Sequence, residues 1–363
     1  MAKKLYTGVA GVARKVKKMY FGTNGVARKI KKGYIGIGGV ARPFFSGGEV
    51  AYYGSITSLS DDKMDHAGTT VGNYALFGGG QGGNDRNVVN AYNSELTRSI
   101  PTSLTGGSYY ISATTVGNYA LFAGGYEKVS NVNTYNSALT KGTATALSQG
   151  RHQMGATTIG DYAIFAGGGN SGQTGSVNTV DAYSASLTRS TPSALNSARR
   201  RTAAATTGDY AIFAGGASNR NNDPMTDTDA YNFELTKTNI ANISVAKDYH
   251  KGVSVGNRAV FFGGYPNNEI IAYDSSLTQS LVGSTGGNQY SRVSSTAIED
   301  IAIFGLMSWS GFMSIDSSMT LRSVSGPSST STERGAAASV GNYALFAGGY
   351  NPISNAVYAF IVA

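Results

Sequence analysis

VGNYALFGGG, from Val71 to Gly80, decides the fold of this chain because the phrase returns six more times. It recurs as VGNYALFAGG from Val116, IGDYAIFAGG from Ile159, TGDYAIFAGG from Thr207, VGNRAVFFGG from Val255, a worn EDIAIFGLM from Glu299 and VGNYALFAGG from Val340. The aligned phenylalanines are Phe77, Phe122, Phe165, Phe213, Phe261, Phe304 and Phe346, spaced by 45, 43, 48, 48, 43 and 42 residues. A repeat of that length is one supersecondary unit. It cannot bury its apolar faces alone, so the copies must stack.

A second phrase follows the first five copies: AYNSELT, TYNSALT, AYSASLT, AYNFELT and AYDSSLT; a worn SIDSSMT follows the sixth. Each unit therefore reads as a Thr/Ser/Ala strand, a Gly-Asn or Gly-Asp turn, the YALFAGG strand, a polar loop, a third strand through vnaYNseLT and a final strand toward the next unit. That is a four-stranded antiparallel meander. In YALF both alternating faces are apolar, as expected of a strand sandwiched between neighbouring sheets. Radial stacking of such sheets gives an all-β fold, a seven-bladed β-propeller.

The ends of the repeat array fit ring closure. TSLSDDKMDHAGTTVGNYALF from Thr57 aligns without gaps to TSLTGGSYYISATTVGNYALF from Thr102. EVAYYGSITSL, Glu49 to Leu59, thus falls where a fourth strand belongs, whereas NAVYAFIVA at the C-terminal end is a third strand with nothing after it. The N-terminal strand is expected to complete the last blade and remove its open edge.

The Gly-Gly doublet after an apolar strand, the Tyr-Asn or Tyr-Asp strand that follows, and an arginine before several first strands (Arg151, Arg199, Arg334) resemble kelch repeats. The resemblance covers residues 49–363 and implies a kelch-like propeller. Two departures stand out. The late tryptophan of a kelch repeat is replaced by Leu-Thr, and the sixth unit has Leu306-Met307 in place of Gly-Gly.

Residues 1–48 follow another rule. Their period is 14: YTGVAGVARKVKKM from Tyr6, YFGTNGVARKIKKG from Tyr20 and YIGIGGVARPFF from Tyr34. Fourteen residues hold two strands of about five plus two turns, with T-N-G and G-I-G-G as turn signals. In VARKVKK, alternation puts Val12, Arg14 and Val16 on one face and Ala13, Lys15 and Lys17 on the other. All eleven charges here are basic, and Arg14, Lys15, Lys17, Lys18, Arg28, Lys29, Lys31, Lys32 and Arg42 are the candidate assembly residues. Such ribbons bury too little to be stable alone and are expected to fold by association. The repeat resembles basic tandem repeats of virion and tail-associated proteins of bacteriophages and prophages of Gram-positive bacteria. That resemblance implies docking on a particle.

Composition excludes some chemistry. The chain has no cysteine, so disulfides, thiolate metal sites and thiol nucleophiles are ruled out. No apolar run approaches the roughly 20 residues of a membrane helix, and MAKKLYTGVAGVARKVKK lacks a signal-peptide core. The expectation is a protein made in a host bacterial cytoplasm, not inserted in a membrane, and carried on the virion. Of a net charge of +8, the arm carries +11, leaving the body mildly acidic. Clustered cations also admit nucleic acid, but the strict period, with only one tyrosine per repeat and no recognition helix, favours packing against an acidic protein surface or symmetric copies.

Propellers bind ligands where loops of all blades converge. Twelve residues before each aligned phenylalanine stand Asp65, Tyr110, Gln153, Arg201, Tyr249, Arg292 and Arg334, with His66 and His250 one step on. From these, His66, Tyr110, Arg201, Tyr249, His250, Arg292 and Arg334 are the candidate ligand residues. Aromatic faces with bidentate arginine and imidazole suit sugars, acidic ones above all. The plainer reading makes them ordinary solvated loop residues. Trp309 and Phe312 are a second candidate platform, or blade filling. No catalytic motif, metal spacing or cofactor signature occurs among the three histidines and the rest.

The sequence therefore reads as a structural and recognition component of a phage or phage-like particle. Its arm, 1–48, would dock to other virion or tail proteins in several copies, and its propeller, 49–363, would bind host-surface polysaccharide or protein. The alternatives are a free kelch-type interaction scaffold and a sugar-modifying enzyme; an enzyme is not expected.

Overall fold

The computed structural model is all-β. It describes residues 49–362 except 84, 128, 171–174, 219–222, 286–291, 307–310 and 328–331, and, as backbone alone, 6–9, 12–15, 19–23, 26–30, 32–37 and 40–46. Blade 1 consists of Ala67–Val71, Tyr74–Gly78, Val89–Asn93 and Arg98–Ser99, antiparallel in that order. Blades 2 to 6 repeat it, their first strands opening at Ser112, Gly155, Ala203, Lys251 and Ser294. Blade 7 has Ala336–Val340, Tyr343–Gly349 and Ser354–Val362, and takes its fourth strand, Val50–Ile56, from the other end of the chain. Val357 stands opposite Ile56 and Val362 opposite Val50. The first strand of blade 7 lies against that of blade 1, so the ring of seven is closed.

The YALF strand is apolar on both faces because its neighbouring residues enter different interfaces. Leu76 of blade 1 packs with Phe122 of blade 2, while Phe77 packs back on Leu345 of blade 7. The same exchange links Leu121 to Phe165, Ile164 to Phe213, Ile212 to Phe261, Val260 to Phe304 and Ile303 to Phe346. All of these side chains are buried. Each is worth about 1.5–3 kcal/mol for leaving water, and an apolar pair at every interface makes the ring its own core.

Polar groups stitch the same interfaces. The tyrosine of the third strand meets its own blade's phenylalanine edge-on, as in Phe77–Tyr92 with centroids 6.0 Å apart, and its hydroxyl donates to the connection entering that blade. Tyr135 Oη donates to Thr102 O at 2.6 Å, Tyr183 to Thr145 O at 2.9 Å and Tyr231 to Ser193 O at 2.7 Å. Near the end of the inner strands, threonine hydroxyls reach back one blade: Thr70 to Ser339 O at 2.6 Å, Thr115 to Thr70 O and Thr158 to Thr115 O. These bonds explain why the inner strands carry threonine there.

The YNSELT phrase divides differently from the sequence expectation. The third strand ends at Asn93, whose Oδ1 accepts the amides of Glu95 at 3.1 Å and Thr97 at 2.8 Å, and Leu96 takes a φ of 61°. Asn136, Asn232, Asp274 and Asp316 cap the same turn. A side-chain carbonyl or carboxylate thus replaces two strand partners, so Ser-Glu-Leu-Thr is a turn.

In the arm, each 14-residue repeat contributes one hairpin: Tyr6–Val9 with Val12–Lys15, Met19–Thr23 with Val26–Ile30 and Lys32–Ile37 with Val40–Ser46. Each is a separate two-stranded sheet. Val16, Lys17, Lys18 and Lys31, and the side chains of Arg14, Lys15, Arg28, Lys29, Lys32 and Arg42, lie outside the described residues.

Candidate ligand site at the channel mouth

The seven positions found by counting back from the phenylalanines form one ring around the central channel. Asp65, Tyr110, Gln153, Arg201, Tyr249, Arg292 and Arg334 all take left-handed backbone, with φ between 53° and 59°. Such residues other than glycine are uncommon and persist where surrounding structure determines them. Here the cause is a belt of hydrogen bonds in which each amide donates to the carbonyl of the preceding blade's equivalent: Asp65 to Arg334, Tyr110 to Asp65, Gln153 to Tyr110, Arg201 to Gln153, Arg292 to Tyr249 and Arg334 to Arg292, at 2.6 to 3.0 Å. At the remaining step the Tyr249 amide turns instead to Asp248 Oδ1 at 2.8 Å.

The belt opens on a cavity of about 290 Å³ lined by all seven residues and by the start of every inner strand. One side of its mouth is cationic. Arg201 binds Asp248 bidentately, Nε to Oδ1 at 2.7 Å and Nη2 to Oδ2 at 2.6 Å. Its guanidinium carbon also lies 4.0 Å from the Tyr249 ring centroid, and that of Arg292 lies 4.2 Å from the same ring. Both arginines donate to the Tyr249 hydroxyl, at 3.0 and 2.8 Å. Arg334 forms a close bidentate pair with Asp65, which Gln81 also contacts at 3.1 Å. Arg292 has no carboxylate within ion-pair reach among the described residues. Burial raises the pKa of Asp248 while Arg201 opposes it, and burial likewise raises Glu333 against Arg292 and Arg334.

On the other side Tyr110 lines the cavity and leads into an aromatic cluster beside it. Tyr109 stacks on Tyr126 with centroids 4.6 Å apart, meets Tyr110 at 4.9 Å, and has Arg86 over its ring at 5.5 Å. Tyr110 and Tyr126 in turn lie against His152, at 6.0 and 5.4 Å. All three tyrosines are partly exposed. Burial and Asp65 raise the Tyr110 phenol while Arg292 and Arg334 lower it. Sequence reasoning found Tyr110 but missed Tyr109 and Tyr126; the run Ser-Tyr-Tyr and the Gly-Gly-Tyr after the second strand were the available signals.

His66 and His250 line the cavity with the belt residues, but they are only 6% and 2% exposed. Burial, helped by Lys63 and by Lys247 respectively, holds both at about 3. They remain neutral and pack edge-on or tilted against Phe77 and Phe261. Phe312, which the sequence offered as an exposed platform or as blade filling, is buried between Phe346 and Phe360 at 5.0 and 4.3 Å; Trp309 lies outside the described residues.

Arg334 also separates from Arg151 and Arg199. The latter two stand two residues before the ring, at the positions of Lys63 and Lys247, and all four are buried. Their donors close the carbonyls left open where the chain leaves the second strand: Arg151 Nε to Gly167 O at 2.9 Å, Arg199 to Phe213 O at 3.1 Å and Lys247 Nζ to Gly263 O at 3.0 Å. Arg151 and Arg199 are neutralised by Asp181 at 2.7 Å and Asp229 at 2.8 Å. These are structural cations, whereas Arg334 belongs to the mouth.

No family model matches the chain, and no curated protein does. Among solved structures it is similar to one described as the structure of YjhT, at 11% identity and a TM-score of 0.55, over 74% of this chain and 98% of that one. At that identity the likeness concerns the fold alone.

Proposed function

We propose that this chain is a recognition component of a phage or phage-like particle, with the arm docking to virion or tail proteins and the kelch-like propeller binding an acidic glycan of the host surface. The observation that carries the ligand reading is the two-sided mouth. On one side the partly exposed Tyr110 suits a sugar ring, and on the other Arg292, which makes no ion pair among the described residues, suits a sugar acid. A cavity near 300 Å³ falls at the small end of ligand sites and fits one sugar unit with the rest of the chain outside. Such sites are weak singly and gain by display in several copies.

The docking reading rests on the arm's resemblance and on its hairpins. Two-stranded sheets are at best marginal in water, so three separate ones call for a surface to lie on. The test uses the full chain and one lacking residues 1–48. Both should bind an acidic surface polysaccharide in preference to a neutral one, and only the full chain should be incorporated into particles. A truncated chain that is incorporated equally well removes the docking role. A full chain that retains an intracellular protein partner and ignores polysaccharide makes it a free scaffold.

A further inference from the structure

Lys251 breaks the rule that the inner strands otherwise keep. It is the first residue of its blade's first strand, two beyond Tyr249. The equivalent residues of the other six blades, Ala67, Ser112, Gly155, Ala203, Ser294 and Ala336, are all small, and all seven line the cavity. The next residue in every blade is glycine, alanine or serine as well. Below the mouth, the channel wall is thus made of short side chains with one long cation among them.

Its surroundings leave that charge unmatched. Lys251 is exposed, but to the solvent of the channel. It makes no ion pair among the described residues, and the one carboxylate whose field reaches it, Asp65, is already held by Arg334. Enclosure by the inner strands holds the ammonium below its usual pKa. Four cations line the cavity, Arg201, Lys251, Arg292 and Arg334. Asp248 pairs with Arg201, Asp65 pairs with Arg334, and Glu333 interacts with Arg292, so Lys251, beneath the rim, is the one left without a carboxylate partner among the described residues.

We infer that Lys251 marks an anion subsite inside the channel, which takes the carboxylate of a sugar acid entering past Arg292 while the remainder of the ligand lies toward the tyrosines. This rests on the mouth being the ligand site and adds which end of the ligand enters. A fixed cation in a narrow, low-dielectric channel acts on an entering anion more strongly than it would at the surface. A neutral sugar gains nothing from it.

The test titrates the full chain with glucuronate and with glucose, at low salt, by ligand-observed NMR. Lys251→Ser installs the side chain that blades 2 and 6 already use at this position, so it is compatible with the fold. The expected result is at least tenfold weaker glucuronate binding by this variant, with glucose unchanged. In lysine-labelled protein, glucuronate should also raise the titration midpoint of Lys251, since a bound anion favours the ammonium. If Lys251→Ser binds glucuronate as the parent does while Arg292→Gln loses it, the channel subsite is overturned and the mouth stands. If the full chain does not bind glucuronate, both are overturned.

Discussion

Changing Asp229 to asparagine removes one negative charge from the interior and leaves the side chain's shape nearly intact. Asp229 and Arg199 are fully buried and paired at 2.8 Å. The asparagine can still accept the Asn196 amide, which lies 3.0 Å away, and Arg199 keeps the carbonyls of Phe213 and Ser197 at 3.1 and 3.3 Å. What is lost is the counter-charge of a buried guanidinium, a loss that costs about 3–5 kcal/mol. Lys237, 3.1 Å from Asp229 but a quarter exposed, adds only about 0.5 kcal/mol, because water and its bond to Asn196 Oδ1 at 2.6 Å replace the contact. For a domain of roughly 300 residues the entropy of unfolding is about 0.6 kcal/mol per degree, so a loss of about 4 kcal/mol lowers Tm by about 6 °C. Calorimetry of Asp229→Asn beside the parent measures this, and because the pair is buried the loss should persist in 1 M NaCl. A Tm within 1 °C of the parent, or a difference that disappears in salt, would refute the argument.

Three further outcomes follow from other sites. Lys247 donates to Gly263 O and Asn267 O inside the protein, and burial lowers it from 10.5 to about 8. Between pH 8 and 10.5 the unfolded chain holds the extra proton, so stability rises with pH across that window by about 3 kcal/mol; the rise should be absent from Lys247→Met in denaturant titrations. His66 and His250, at about 3 against 6.5 when unfolded, act on the acid side. The unfolded state takes protons first as pH falls from 6.5 toward 3, so each ring costs about 2 kcal/mol by pH 5, and the His66→Gln, His250→Gln double variant should show a flatter decline. Finally, deleting residues 1–48 should leave the propeller's melting unchanged, whereas deleting 1–56 removes Val50–Ile56 and bares Ser354–Val362 as an open edge. Size-exclusion chromatography should find the shorter deletion discrete and the longer one aggregated.

Much of this protein is legible without a structure. The period of the phenylalanines, the doubly apolar YALF strand and the orphan strand before Thr57 were enough for seven blades and their closure, since each reflects a local pattern repeated until it had one geometric solution. The belt positions were legible too, because a repeat puts equivalent residues at equivalent heights and counting from Phe77 finds Asp65 as surely as counting from Phe346 finds Arg334. What such counting could not supply is direction. His66 and Tyr110 are one residue apart in the repeat, and the left-handed backbone of the belt turns the tyrosine to the channel and the histidine into the wall. Arg334 and Arg199 look alike in the chain, yet a shift of two residues makes one a lining group and the other a buried partner of Asp229. The gathering of Arg201, Tyr249 and Arg292, and the isolation of Lys251, depend on how neighbouring blades face one another across the channel. That is set by packing between units, and no single unit's sequence contains it.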